Sequence, residues 1–200
     1  QMVGWGDLWQ DASGEGATLT RIFWELRVPR VAVAFLAGSL LAVSGMCFQA
    51  IFRNPLATPF TLGVSSGASL GAAAYVWLGV TLGAGVFSGI TLFAFLGALL
   101  AIGLVYGLTT MRRGFSPASM LLAGVAVSFF FSSMILFLQY LSDFTHSFRI
   151  IRWLMGGVEV TGYATLLSLL PFAIIAAGLL FGLRNELNLM SVGGEFAVSR

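Results

Sequence analysis

Charged residues are missing from four long stretches of this chain, 31–52, 54–111, 114–142 and 160–183. Apolar residues fill these stretches without the polar alternation of a barrel strand, and a spanning helix needs about 20 of them. The second stretch is long enough for two spans, with Gly79, Gly83 and Gly85 marking the turn between them. The pattern predicts an all-α fold, a polytopic transmembrane helical bundle of about five spans near 31–51, 60–79, 86–109, 117–140 and 162–183. Helices suit the bilayer because they satisfy their own backbone hydrogen bonds.

Small residues fall in rows on these helices. Gly63, Gly67 and Gly71 stand four apart, with Ala68 and Ala72 beside them, so one face of the second span lets another backbone approach closely. Gly97, Gly103 and Gly107 predict the same for the third span, and helix packing is the simpler reading than ligand contact for both faces. The connector before that row is unusually specific. Arg53-Asn54-Pro55-Leu56-Ala57-Thr58-Pro59 combines a charge with two fixed proline φ angles, more than a simple helix stop requires.

Composition agrees with the pattern. The chain is 58% hydrophobic and 9% charged with a mean hydropathy of +0.94, too apolar for one water-soluble core. Lipid is its expected solvent. All ten basic residues are arginine, the net charge is +2, and no basic stripe with interleaved aromatics lies outside the spans, so no nucleic-acid partner is expected. The single Cys47 lies in the first span, where packing is its expected role. Gln1 is not an initiator residue and Arg200 ends a polar stretch, so the sequence reads as a fragment. The stretch to about Leu26, with Asp7, Asp11, Glu15, Arg21 and Glu25, reads as an aqueous loop along the membrane surface. If the loops alternate sides, Arg53, Arg112, Arg113, Arg184 and Arg200 balance Arg21, Arg27, Arg30, Arg149 and Arg152, so charge bias does not orient the chain. An acidic protein partner is one physical reason for arginines on the outer side.

Two local patterns point to other chemistry. Gly63-Val64-Ser65-Ser66-Gly67 fits a nucleophile elbow, but that device needs a preceding strand and a histidine base. His146 is the sole histidine, expected in a loop on the far side of the bilayer, and it has no second His or nearby Cys with which to bind a metal. Asn54-Pro55-Leu56-Ala57 is comparable to the half-helix motif of water channels. Such channels pair two elements at mid-membrane, whereas one occurs here, at a span's end beside Arg53.

Arg27-Val28-Pro29-Arg30, Gly38 to Gly45, Gln49, Arg53-Asn54-Pro55-Leu56-Ala57, Pro59 and Leu62 to Ala68 resemble the permease subunit of FecCD-type ABC importers. These importers carry iron–siderophore complexes, haem or vitamin B12. Leu121 to Gly124, Trp153 to Gly157 and Leu187 to Ala197 are similar to later signatures of the family. The resemblance implies a ten-span permease of which this chain holds the second to sixth spans. Residues 1–30 would be a periplasmic loop, 31–183 the spans and 184–200 the start of a cytoplasmic coupling segment.

The implied protein is a transport subunit of the bacterial inner membrane. It binds no cofactor itself, and ATP is hydrolysed on partner ATPase subunits. An external binding protein delivers a metal chelate, and a second permease copy or homologous half completes the pathway. Arg27 and Arg30 match the family position that pairs with glutamates of the binding protein, a task suited to the bidentate guanidinium. One of them could instead anchor the helix end or pair with Glu25. Glu195, Phe196 and Ser199 fall where the ATPase would be contacted, with a solvated helix N-terminus as the other reading of Glu195. Arg53, Asn54, Pro55, Pro59, Gly63, Gly67 and Gly71 carry the family motif and the helix packing. A channel or ion-coupled secondary transporter is the alternative, and the lack of charges inside the spans that could serve as a proton relay counts against the ion-coupled form.

Overall fold

The computed structural model describes residues 18, 20–80, 88–111, 116–158 and 160–192, and every regular element among them is helical. A π-helical stretch, Ile22–Arg27, runs into α1 (Val28–Phe52), and a 3-10 turn, Pro59–Leu62, precedes α2 (Val64–Leu78). Then come α3 (Gly89–Thr110), α4 (Pro117–Leu141), α5 (Phe144–Leu154), α6 (Ala164–Gly182) and α7 (Arg184–Val192). Among the described residues, four helices are long and apolar enough to cross a membrane: Ile22–Phe52, α3, α4 and α6.

The expected second span takes another form. Where the pattern predicts one helix over 60–79, the 3-10 turn ends at Gly63, left-handed at φ 76°, and α2 then runs for 15 residues. At 1.5 Å per residue that is about 22 Å, short of a hydrocarbon core of about 30 Å. Gly79 ends α2 in the left-handed conformation, as a turn there requires. Gly83 and Gly85 lie outside the described residues.

Of the loop expected up to residue 30, the part from Ile22 on is instead helix that continues into α1, and residues 1–17 lie outside the described residues. Pro29 has no N–H for the carbonyl of Glu25, four residues earlier, and its ring crowds that carbonyl. The π-helical turn resolves this. Val28 N–H reaches back to Phe23 O, and Glu25 O accepts from Gly162 N–H at 2.8 Å. Arg21 pairs with Glu25 on the outside of the same turn at 2.9 Å.

The described residues divide into two compact units, one made by the chain up to Ala42 with Gly157–Gly182, the other by Val43–Gly156 with the residues from Leu183 on. The first buries Pro29, Val33, Val160 and Ala173. In the second, α2 packs against α3, α4 and α5. Its core gathers Ala101 and Val105 of α3, Val127 and Phe131 of α4, and Ala57 and Leu62 of the connector. Backbone contact holds α2 to α3: a methyl group on Gly67 or Gly97 would strike the other's carbonyl, and one on Gly71 would strike that of Phe93. Gly103 and Gly107, expected to pack likewise, have nothing within 4 Å of where a Cβ would stand.

Candidate functional site: a hydroxyl-lined cleft and its connector

The connector is built by local hydrogen bonds. Arg53 ends α1 at φ 47°, the one non-glycine positive φ among the described residues, a conformation costing an L-residue about 1–2 kcal/mol. Asn54 then closes an Asx turn, its Oδ1 accepting from Leu56 N–H at 2.9 Å and its carbonyl from Ala57 N–H at 3.0 Å. Gln49 Nε2 donates to Pro55 O at 3.0 Å. Thr58 and Thr61 cap each other across the 3-10 turn, with Pro59 at its start, where a missing N–H costs nothing. Asn54 is therefore committed to its own turn, unlike the asparagine of a pore half-helix.

Beyond this connector a cleft of about 480 Å³ opens between α2 and α4. Ser65, Ser66 and Ser69 line it from α2, and Ser128, Ser132 and Gln139 from α4, with Phe60, Ile135, Leu136 and Leu154 as apolar walls. Helical periodicity explains the rows, since residues four apart share a face. Ser66 and Ser128 turn their hydroxyls back to Gly63 O at 2.9 Å and Gly124 O at 2.8 Å. The other three serines behave differently. Ser65, Ser69 and Ser132 have no hydrogen-bond partner among the described residues, and no charged side chain is among the lining residues. Such a wall offers neutral hydrogen bonds, each worth only about 1 kcal/mol, so it can hold a polar ligand without trapping it.

In the sequence, Ser65 and Ser66 stand out within the nucleophile-elbow pattern and within the family-like stretch Leu62 to Ala68, not as the wall of a cleft. A 3-10 turn precedes Ser65 where that device needs a strand, and the length of α2, about 20 Å, separates Ser65 from the Gly79 end where His146 lies. The available signal was the i,i+4 serine pairs, Ser65/Ser69 and Ser128/Ser132, in two apolar helices.

His146 is in a helix, α5, where a loop was expected. Asp143 caps that helix, accepting from His146 N–H at 3.0 Å and from the His146 ring. The backbone hydrogen bond first, and the ring second, hold the exposed Asp143 carboxyl below its usual range. Ile150 turns into the core beside Ala73 and Ile135, and Ser147 Oγ donates to Gln139 O at 3.0 Å, so α5 is fixed against the cleft-lining helix.

The predicted site residues fall on different elements. Arg27 and Arg30 are exposed on either side of buried Pro29, three residues apart and so neighbours on one helical face. Neither has an acidic partner among the described residues, and Glu25 is engaged by Arg21. Arg53 donates from Nε to Met190 O of α7 at 2.7 Å. Gly67 and Gly71 lie in the α2–α3 seam described above, and Gly63, the left-handed turn before α2, packs close to Gly124 and Ser128 of α4. Glu195, Phe196 and Ser199 lie outside the described residues, as do Arg112 and Arg113. Among the described residues no group of three or more His, Cys, Asp or Glu side chains is arranged to hold a metal ion.

The model of the FecCD transport family matches residues 1–200. The chain is 36% identical over 187 residues to a protein of Helicobacter pylori named as an iron chelatin transport system permease, covering 92% of this chain and 54% of that one. It is 35% identical over 189 residues to a cobalamin import system permease protein of Halobacterium salinarum, covering 92% and 48% respectively. A solved structure described as an inward-facing conformation of a metal-chelate type ABC transporter superposes with a TM-score of 0.80 at 27% identity, over 95% of this chain and 59% of that one. The chain spans about half the length of the curated relatives it matches.

Proposed function

This chain belongs to the FecCD transport family, and on that premise we propose that it forms part of the membrane-spanning permease of an ABC importer for metal chelates and related substrates. Its apolar helices make it a multi-pass membrane protein. The observation that carries the reading is the cleft between α2 and α4, with its hydroxyls and no charge. A large, partly apolar chelate must enter and leave such a path in one cycle, so weak and exchangeable contacts serve better than tight ones.

In this proposal the cargo is an iron(III)-siderophore, with haem and cobalamin as the other members of the class. Relatives named for iron chelatin and for cobalamin support the class. ATP is hydrolysed by separate ATPase subunits, which meet the permease through the segment after α7, including Glu195, Phe196 and Ser199. The loaded binding protein docks on the exposed Arg27 and Arg30, and a second permease copy or homologous half completes the pathway. The connector at Arg53 then faces the cytoplasm.

The test is to purify the full-length permease with its ATPase subunits and add binding protein loaded with a ferric siderophore. Copurification and stimulated ATP hydrolysis support the proposal. Uptake into proteoliposomes that persists with a hydrolysis-dead ATPase would point instead to a channel or secondary carrier.

A further inference from the structure

Arg53 holds a backbone conformation that glycine or asparagine would adopt more readily. Its side chain explains why an arginine stands there. Nε donates to Met190 O, 137 residues away, in the last turn of α7. A guanidinium N–H on a carbonyl is a charge-assisted hydrogen bond, among the stronger ones a side chain makes. One residue thus ends α1 and is bonded to the backbone of α7.

The segment after Arg53 transmits position. Hydrogen bonds among Gln49, Asn54, Pro55, Leu56 and Ala57 fix the connector as a unit. Ala57 is 1% exposed, so the unit is anchored in the core. A few residues on, Phe60 lines the cleft and Gly63 starts α2, which supplies three of its serines. α7 leads in the other direction, toward the segment that the proposed function assigns to ATPase contact.

We propose that Arg53 is a positioning residue, a latch that makes α7 and the Arg53–Ala57 connector move together, so that displacement of α7 by the ATPase reaches the cleft. This rests on the permease reading above. Tight coupling needs a short tether, and a cationic donor on a helix carbonyl supplies one.

The test uses the full-length transporter with its ATPase and binding protein in proteoliposomes. Arg53→Gly relieves the φ strain and removes the donor, whereas Arg53→Lys keeps a cationic donor. The quantity read is substrate transported per ATP hydrolysed, for each assembled transporter. Arg53→Gly is expected to keep ATP hydrolysis and lower this ratio about tenfold, with Arg53→Lys in between. A wild-type ratio for Arg53→Gly overturns the latch, and so does a defect confined to the amount assembled. Spin labels on Leu56 and Leu189 give a second reading in a transporter that retains Arg53. Their separation should hold constant through the nucleotide cycle, and a change beyond about 3 Å, the reach of a hydrogen bond, also overturns it. If the unaltered transporter shows no ATP-driven uptake, the permease reading fails instead, so the two failures are distinguishable.

Discussion

α6 and α3 are both long, apolar and glycine-bearing, yet they meet different surroundings. Only 6% of the apolar window of α6 is buried, as in the helix Ile22–Phe52, against 17% for α3 and 22% for α4. Gly178 in α6 and Gly38 in α1 have open space where a side chain would go, while Gly97 in α3 has the backbone of Gly67 there. Hydrophobicity places all of these helices in lipid, but it does not say which face meets protein. That depends on a small residue opposite another small residue, a property of pairs.

Substitution at the glycines should break this contrast most sharply. Gly97→Ala forces a methyl group against the Gly67 carbonyl and should cost about 1–3 kcal/mol as overpacking. Gly103→Ala, one helix face away, should cost nothing measurable. Thermal unfolding of the two variants in detergent would compare them directly, and equal losses would mean that the α2–α3 seam is not where the structure puts it.

The arginines sharpen the same distinction at the surface. Arg53 is tied to α7, whereas Arg27 and Arg30 have no acidic partner among the described residues. Exchanging both for Glu should weaken binding-protein affinity at least about tenfold by opposing like charges across the contact, with unfolding unchanged. Unaltered affinity in nanodiscs would remove them from the docking surface.

The smallest effect is expected at the start of α5. The Asp143 carboxyl titrates below the ordinary aspartate value, so its capping contribution is complete above that ordinary value and is lost as pH falls through the lower folded one. Protection factors in the first turn of α5, hydrogen-exchange rates corrected for the intrinsic pH dependence of amide exchange, should fall on acidification in the native protein more than in Asp143→Asn. Identical acid responses would show that the cap does not control this turn.

Much of the fold was legible because charge-free runs report directly on the bilayer, and helix ends such as Gly79 and Pro117 sit where caps require them. The misses have physical causes. α5 carries Arg149 and Arg152 and so reads as a loop by charge, although its polar and apolar residues alternate at helical spacing. α2 departs from its expected span because Pro59 and Gly63 set a 3-10 turn in its first residues. The connector was visible as a motif, but its bond to Met190 joins positions far apart in sequence. The cleft stayed hidden for a similar reason, since Ser69 and Ser132 come together only when α2 packs on α4.

The most direct test of the cleft as a transport path is thiol labelling of Ser69→Cys and Ser132→Cys in a full-length transporter whose buried Cys47 has been replaced by Ala. A bulky maleimide on either position should abolish ATP-driven uptake while ATP hydrolysis continues. Complete labelling with uptake at the unlabelled rate would place the path elsewhere.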